Sequence, residues 1–286
     1  MSLNKIKIII KKIFYINIHT EHLYHLIILR FFPNKVLDYS GHKDEISPDD
    51  YYNIYRSGLN NSYPVIDNIE RELGFKIDNE WLNNLALITQ ISIKKTKICY
   101  VHGRVLYSYL RYLISHNEEK YFKILEVGTS KGFSSLCMAK SLEDSKKNGK
   151  IITIDILAHD KEIYWNSISD CEGRKTRKDL LKNWKFLMDK YITYLCGESN
   201  KVLKKLNLER INFAFLDGSH TYYDLKSEFE FTAKRQYKSD IIVIDDYDDQ
   251  YKGLKKAADK CCKTFNYNKT LIKADINRTY LICQKN

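Results

Sequence analysis

Proline and long apolar runs are both scarce in this chain. The 286 residues include three prolines, and Pro33, Pro48 and Pro64 all lie in the first quarter of the sequence. No apolar run approaches the ~20 residues that a membrane-spanning helix needs, and no small-residue cleavage site follows the apolar residues 6–10. We therefore expect neither a transmembrane segment nor a signal peptide. The first 32 residues are compatible with an amphipathic helix. It would lie on a membrane or a partner subunit, or it would pack on its own domain.

Cysteine pairs with C-x-x-C spacing are also absent. The seven cysteines are an odd number, and the adjacent Cys261 and Cys262 cannot readily form an unstrained bridge. We interpret all seven as reduced, which fits a cytoplasmic protein. The net charge of +11 permits nucleic-acid, lipid or acidic-glycan partners. Lysine is nevertheless interspersed with asparagine, isoleucine and tyrosine throughout, which favours a solvated surface, and we expect no nucleic-acid partner.

The dinucleotide-binding pattern G-x-G-x-x-G is absent, because Ser130 stands where its second glycine is required. The chain has instead a short apolar run at 124–127, a turn from Gly128 to Gly132, and a helical pattern over 133–140. A strand, turn and helix of this kind present free backbone N–H groups and a positive helix end to a nucleoside ligand. A plain connection that uses glycine for positive φ is the alternative.

Two carboxylates near this turn favour a cationic or ribose-bearing ligand. Glu126 lies two residues before Gly128, where a pyrophosphate would gain little from a negative charge. A second apolar run, residues 150–155, ends at Asp155. An acid at the end of the second strand can accept hydrogen bonds from ribose hydroxyls.

At these residues the chain resembles the class I S-adenosylmethionine-dependent methyltransferases, over roughly residues 100–286. Glu126-x-Gly128-x-x-x-Gly132 is similar to their first motif, in the form used by catechol-type and sugar O-methyltransferases, and Asp155 matches the acid after their second strand. The resemblance implies S-adenosylmethionine as the cofactor. The cofactor-binding residues that it implies are Glu126, Gly128, Thr129, Ser130, Gly132, Ser134, Asp155, Glu198, Ser199 and Asp217.

Strands and helices alternate after residue 100, which predicts a parallel sheet with helices on both faces. The further predicted strands are residues 191–196, 211–217, 241–245, 270–273 and 278–284. We predict an α/β fold, a Rossmann-like class I methyltransferase sheet of seven mostly parallel strands, and the resemblance implies that its last strand is antiparallel. Residues 1–99 are predicted to be a mostly helical N-terminal extension of the 100–286 methyltransferase domain.

Three segments carry further expectations. Residues 33–64 are polar and turn-rich, and we interpret them as a connection with one short helix. The long polar stretch 159–177 is interpreted as an active-site cover. In the family a helix such as that predicted over 100–114 helps to close the cofactor pocket, which would place Arg104 and Tyr107 in its lining. The alternative is that Arg104 is exposed to solvent and Tyr107 is packed in the core.

Carboxylates also end the fourth and fifth predicted strands, at Asp217 and at Asp245 and Asp246. In open α/β sheets ligands bind beyond these strand ends, and Mg²⁺ prefers carboxylate oxygen and water. The segments around these aspartates (FLDGSHTY and VIDDY) resemble the metal-dependent O-methyltransferases of small molecules and sugars, including macrolide-sugar enzymes, in which the matching aspartates bind Mg²⁺. The resemblance implies a magnesium site of Asp217, Asp245 and Asp246. His220 departs from the pattern of some relatives, which leaves the ligand set open.

Two residues are candidates for the catalytic base. His220 has an unperturbed pKa of ~6.5, which suits proton transfer at neutral pH, or it only hydrogen-bonds the turn before the next helix. Asp217 can instead act as both metal ligand and base. The predicted function is S-adenosylmethionine- and Mg²⁺-dependent O-methylation of a sugar, glycan or other small metabolite, by a homo-oligomer with no transmembrane segment and with peripheral membrane contact left open.

Other function classes fit the sequence less well. A nucleotide-sugar or NAD enzyme on the same fold would need the missing glycine pattern. A non-catalytic scaffold that docks to a membrane or partner would not need Glu126, Gly128, Asp155 and the pair Asp245-Asp246. The catalytic motifs Asn-Pro-Pro-Tyr and Pro-Cys do not occur, so nucleic-acid methylation ranks low.

Overall fold

Seven strands form one sheet in the part of the chain that the computed structural model describes, which is residues 47–93, 97–275 and 278–286. The strands are β1 Tyr121–Val127, β2 Asn148–Asp155, β3 Ile192–Cys196, β4 Phe213–Leu216, β5 Ile241–Ile244, β6 Tyr267–Asp275 and β7 Arg278–Lys285. Their order is β3-β2-β1-β4-β5-β7-β6. β1 to β5 pair in parallel, and β7 is antiparallel to both β5 and β6. The predicted sheet, with its antiparallel last strand, is confirmed.

The strand order reverses between β1 and β4. The chain builds outwards from β1 to β2 and β3, and then continues at β4 on the other side of β1. The N–H group of Asp217 donates to the carbonyl of Val127 at 2.9 Å, so the two strands stay paired to their carboxyl ends. A reversal of this kind opens a crevice for a ligand beyond the strand ends.

Strand side chains alternate between two cores, one on each face of the sheet. Ile124, Phe213 and their neighbours at every second position face one core, whereas Leu125 and Ala214 face the other. The helices are α1 Pro48–Leu59, α2 Pro64–Leu73, α3 Asn79–Thr89, α4 His102–Ser115, α5 Phe133–Asp144, α6 Arg177–Leu180, α7 Lys185–Tyr191, α8 Ser199–Leu203, α9 Tyr222–Ala233 and α10 Lys252–Phe265. Helices α2 to α7 contribute to the first core and α8 to α10 to the second. The predicted helices on both faces are therefore present.

Two of the three prolines begin helices. Pro48 and Pro64 occupy the first turns of α1 and α2, where a missing N–H costs nothing and a fixed φ suits the helix. Ser47 and Asp50 exchange hydrogen bonds in a capping box before α1. The connection predicted over residues 33–64 therefore holds a helix of twelve residues. The amphipathic helix predicted in the first 32 residues lies outside the described part of the chain.

The N-terminal helices share their core with the sheet. Ile66 of α2 and Leu82 of α3 belong to the same buried cluster as Ile124 of β1. The domain boundary at residues 99 and 100 stays a prediction. No helix among the described residues has the length and apolar character to cross a membrane.

A carboxyl group lies buried on α9. Glu228 is 2% exposed and accepts a hydrogen bond of 2.5 Å from the Ser199 hydroxyl. Burial raises the pKa of Glu228 to about 7, because low-dielectric surroundings disfavour the charged form. The folded protein thus keeps a proton on Glu228 at pH values where the unfolded chain has lost it.

Glu228→Gln should stabilise the protein increasingly as pH rises. The carboxyl titrates near 4.5 in the unfolded chain and near 7 in the fold, so the wild-type free energy of unfolding falls across this interval. Glutamine stays neutral, and we expect an advantage of about 1–3 kcal/mol at pH 8 and little difference at pH 4. Urea unfolding at both pH values measures the effect. An equal difference at the two pH values would contradict it.

Candidate functional site

The glycine turn between β1 and α5 packs directly against the end of β4. Gly128 has a φ of +96° and Gly132 a φ of +90°, both in the left-handed region that favours glycine. A Cβ atom on Gly128 would lie 2.0 Å from the backbone carbonyl oxygen of Asp217. Only glycine allows this approach, so the turn lies beside the residue that follows β4.

Asp155, at the end of β2, binds the turn from the other side. Its Oδ2 accepts a hydrogen bond of 2.6 Å from the N–H of Ser130, and its Oδ1 accepts one of 2.7 Å from the N–H of Leu157. The hydroxyls of Thr129 and Thr153 lie 2.5 Å apart beneath the turn. Each carboxylate oxygen keeps a second lone pair. The half-buried Asp155 can therefore still accept a hydrogen bond from a ribose hydroxyl.

Glu126 is enclosed by protein. It is fully buried, and its carboxylate accepts hydrogen bonds from the hydroxyls of Ser134 and Ser135 at the start of α5. Burial raises the pKa of Glu126. Two of the predicted cofactor residues, Glu126 and Ser134, thus bind each other and join β1 to α5. Their contact with a cofactor stays a prediction.

The end of β3 lies at the same edge of the sheet. The N–H of Gly197 donates to the carbonyl of Asp155 at 2.7 Å. Glu198 precedes α8 and forms an exposed ion pair with Lys201 at 2.7 Å. Ser199 donates to Glu228 inside the protein. The predicted cofactor-binding residues Glu198 and Ser199 therefore follow a residue bonded to Asp155, but both side chains have partners in the chain.

His220 lies between two of the carboxylates that end β4 and β5. Its Nε2 is 3.5 Å from Asp217 Oδ1, and its Nδ1 is 3.7 Å from Asp246 Oδ2. Its ring stacks on Tyr251 with centroids 4.8 Å apart. His220 and Asp246 have φ values of +56° and +52°, which are uncommon for residues with side chains. The structure thus brings Asp217, His220 and Asp246 together.

Asp245 is the most deeply buried of the three aspartates, and it shares an arginine partner with Asp246. It is 2% exposed, its Oδ1 accepts from the N–H of Asp246 at 2.7 Å, and its Oδ2 accepts from Arg278 Nη1 at 3.1 Å. The same Arg278 nitrogen donates to Asp246 Oδ1 at 3.3 Å. We did not predict Arg278, although an antiparallel last strand necessarily brings its first residue to this edge. Arg278 therefore binds both aspartates, and Asp246 keeps its other oxygen, Oδ2, on the His220 side.

The charges of this cluster perturb one another. Burial raises the pKa of Asp217, and the nearby Asp245 and Asp246 raise it further. Burial also lowers the pKa of His220. One ligand atom each from Asp217, His220 and Asp246 lies within 4.8 Å of the others. Such a group can hold either a proton or a divalent cation.

Known proteins share this fold. Residues 125–247, which include the glycine turn, Asp155, Asp217, Asp245 and Asp246, match the family model described as "Methyltransferase domain". The structure is similar to that of the O-methyltransferase TomG from Streptomyces achromogenes, in complex with SAM and involved in tomaymycin synthesis (TM-score 0.52, 15% identity, 73% of this chain and 91% of TomG). It is also similar to cofactor-bound Rv0187 from MTB (TM-score 0.51, 12% identity, 85% and 99% of the two chains). No curated protein matches the chain significantly.

The chain contains a class I methyltransferase domain. The resemblance found in the sequence is confirmed, and the protein is a methyltransferase. The family match includes both the turn after β1 and the aspartates after β4 and β5.

The predicted cover, residues 159–177, is fixed to the rest of the methyltransferase. The side-chain amide of Asn166 exchanges two hydrogen bonds with the backbone of Ile93, at 2.9 and 3.1 Å. Lys131 of the glycine turn donates to the carbonyl of Asn166 at 3.0 Å and to the hydroxyl of Ser92 at 2.7 Å. The segment therefore links the N-terminal helices to the glycine turn.

Arg104 and Tyr107 of α4 bind neighbouring helices of the methyltransferase. Arg104 donates to both Glu70 oxygens, at 2.8 and 2.6 Å, and to Asp67 at 2.5 Å. Tyr107 donates to Asp144 at 2.8 Å. Tyr107 is thus packed between helices, as the second alternative for this residue stated. Arg104 forms ion pairs with α2.

Gly128→Ala should cost the methyltransferase both stability and cofactor binding. Its added Cβ would overlap the Asp217 carbonyl, and we expect a loss of at least about 3 kcal/mol in the free energy of unfolding, because backbone strain and steric overlap combine. Gly173→Ala is the matched control, since Gly173 has a φ of +98° with nothing within 4 Å of an added Cβ. It should lose only the ~1–2 kcal/mol of left-handed strain. Urea unfolding compares the two variants, and equal losses would contradict the close contact.

Proposed function

We propose that this methyltransferase transfers the methyl group of S-adenosylmethionine to a hydroxyl oxygen of a sugar, glycan or other small metabolite, with the help of a divalent cation such as Mg²⁺. The observation that carries the proposal is the contact of the glycine turn with Asp217. It joins a nucleoside-type site at β1 and β2 to a carboxylate and imidazole cluster at β4 and β5. The similarity to an O-methyltransferase solved with SAM supports the same donor.

The donor half of the proposed site is built from backbone groups and one acid. The turn from Gly128 to Gly132 precedes the N-terminus of α5, whose free N–H groups and dipole can orient a polar ligand. Asp155 would accept hydrogen bonds from the ribose hydroxyls. The turn also lies against Asp217, so a donor held there has its reactive methyl group near the acceptor cluster. This placement is proximity catalysis.

The acceptor half needs a proton acceptor, and we assign that role to His220. Asp246 Oδ2 lies 3.7 Å from Nδ1, too far for a hydrogen bond but near enough for its charge to favour the protonated ring, and Nε2 would take the proton of the acceptor hydroxyl. The hydroxyl oxygen then bonds to the methyl carbon while the carbon–sulfur bond breaks. The electron pair of the broken carbon–sulfur bond stays on sulfur, so the sulfonium donor becomes a neutral thioether. Asp217, 3.5 Å from His220, would stabilise the protonated ring.

The residues present fit a divalent cation, with one change from the predicted ligand set. Asp217 and Asp246 offer carboxylate oxygens beside His220, and Mg²⁺ is commonly bound by one or two carboxylates with waters and substrate. Asp245 is buried and does not belong to this group. When bound, the cation would lower the pKa of a coordinated hydroxyl. We therefore propose Asp217 and Asp246 as its ligands.

Calorimetric titration with S-adenosylmethionine tests the donor. We expect one binding site per chain, and we expect the affinity to be nearly the same in the presence of a chelator, because the turn and Asp155 are separate from the aspartates of the cluster. Methyl transfer to a panel of sugars, polyols and phenols should require the cation. Absence of binding would refute the proposal. Chelator-resistant turnover would move it towards phenols, which are more acidic and need no metal activation.

Asp246→Asn should weaken cation binding at least tenfold, because it removes one of two carboxylate ligands. Asp245→Asn should leave that affinity within about threefold, because Asp245 is buried and does not belong to the group formed by Asp217, His220 and Asp246. Titration with Mn²⁺, followed by electron paramagnetic resonance, measures the free ion.

Asp249→Asn is the control for the loss of a nearby negative charge. Asp249 is exposed and pairs with Lys255 at 2.8 Å, so its loss should leave Mn²⁺ affinity unchanged. If Asp245→Asn abolished Mn²⁺ binding while Asp246→Asn did not, the ligand assignment would be reversed.

A further inference from the structure

A buried guanidinium group lies under the glycine turn. Arg177, the first residue of α6, is 1% exposed. Its Nε donates to the carbonyl of Ser130 at 2.7 Å, and its Nη2 donates to the carbonyl of Leu157 at 3.3 Å. The rings of Trp165 and Tyr194 lie 5.5 and 5.6 Å from its central carbon. These contacts connect the turn after β1 with the residue two positions beyond Asp155.

Burying this cation is costly. Burial lowers the pKa of Arg177, while the nearby Asp155 opposes the shift. A charged side chain away from water is normally retained only with paired and hydrogen-bonded partners. Here the hydrogen bonds are to backbone carbonyls. The guanidinium therefore holds main chain in place, at Ser130 in the glycine turn and at Leu157 after β2.

Ser130 is the residue on which this arrangement acts. It has a φ of +47°, and a residue with a side chain stays in this region only when its surroundings over-determine it. Asp155 accepts the hydrogen bond of its N–H, and Arg177 donates to its carbonyl. Two charged side chains from distant parts of the chain thus fix the backbone N–H and the backbone carbonyl of one strained residue.

We infer that Arg177 is a positioning residue of the S-adenosylmethionine site. It holds Ser130, and with it the turn from Gly128 to Gly132, in the conformation that binds the donor. The inference rests on the proposed function, since it concerns the same donor site. Arg177 itself need not contact the donor or the acceptor.

Arg177→Met removes the charge and both hydrogen bonds but keeps much of the apolar stem. We expect the dissociation constant of S-adenosylmethionine to rise at least tenfold, and the KM for the donor to rise with little change in kcat. Arg177→Lys keeps the charge and one donor group and should give an intermediate affinity. It also serves as the readout if the methionine variant does not fold.

Arg235→Met is the matched control. Arg235 also donates to two backbone carbonyls, those of Leu208 at 2.6 Å and Phe231 at 2.8 Å, and its central carbon lies 3.6 Å from the Phe231 ring. It follows α9, away from the glycine turn. Its loss should lower stability and leave the affinity for S-adenosylmethionine within about twofold.

Calorimetry separates the outcomes. A merely structural role would reduce the number of binding sites per chain without raising the dissociation constant of the folded molecules. Unchanged dissociation constants in both Arg177 variants, beside normal binding by the wild type, would overturn the inference and leave the proposed function intact. Absence of binding by the wild type would overturn both.

Discussion

The approach of the Gly128 backbone to the Asp217 carbonyl is the contact on which both halves of the site depend. β1 and β4 are paired to their last residues, and the turn that leaves β1 has no room for a side chain at Gly128. The glycine turn and Asp217 therefore meet at one point. In the proposed reaction, separation of the two strand ends would cost the donor methyl group and the acceptor oxygen the alignment that methyl transfer needs.

Charge at this edge of the sheet is distributed unequally among the carboxylates. Asp245 is buried against Arg278, whereas Asp217 and Asp246 face His220. A buried carboxylate without a partner would be costly, and Arg278 meets that need for Asp245. The two remaining aspartates keep their capacity for a proton or a cation. In the proposed reaction, Asp217 and Asp246 hold the cation beside His220, with Asp246 Oδ2 on the side of the ring and its Oδ1 bound to Arg278.

The glycine turn is held from three directions by elements distant in sequence. Asp155 binds the Ser130 N–H from β2, and Arg177 binds its carbonyl from α6. Lys131 reaches the Asn166 carbonyl and Ser92, next to the N-terminal helices. The described helices before residue 100 therefore share the core of the sheet, and Ser92 also contacts the glycine turn through Lys131.

The sequence by itself determined the sheet and the edge at which the site lies. Short apolar runs that stop at Gly128, Asp155, Asp217 and Asp245 predicted strands, and parallel strands bring their carboxyl ends to one edge whatever packs around them. The secondary structure at the prolines could not be predicted, because Pro48 suits either a linker or the first turn of a helix. Only the tertiary structure decided the partner of each carboxylate. Arg278 is 33 residues from Asp245, and Arg177 is 47 residues from Ser130. The acceptor that each arginine binds depends on side-chain rotamers and on tertiary packing. A local sequence pattern carries no information on either.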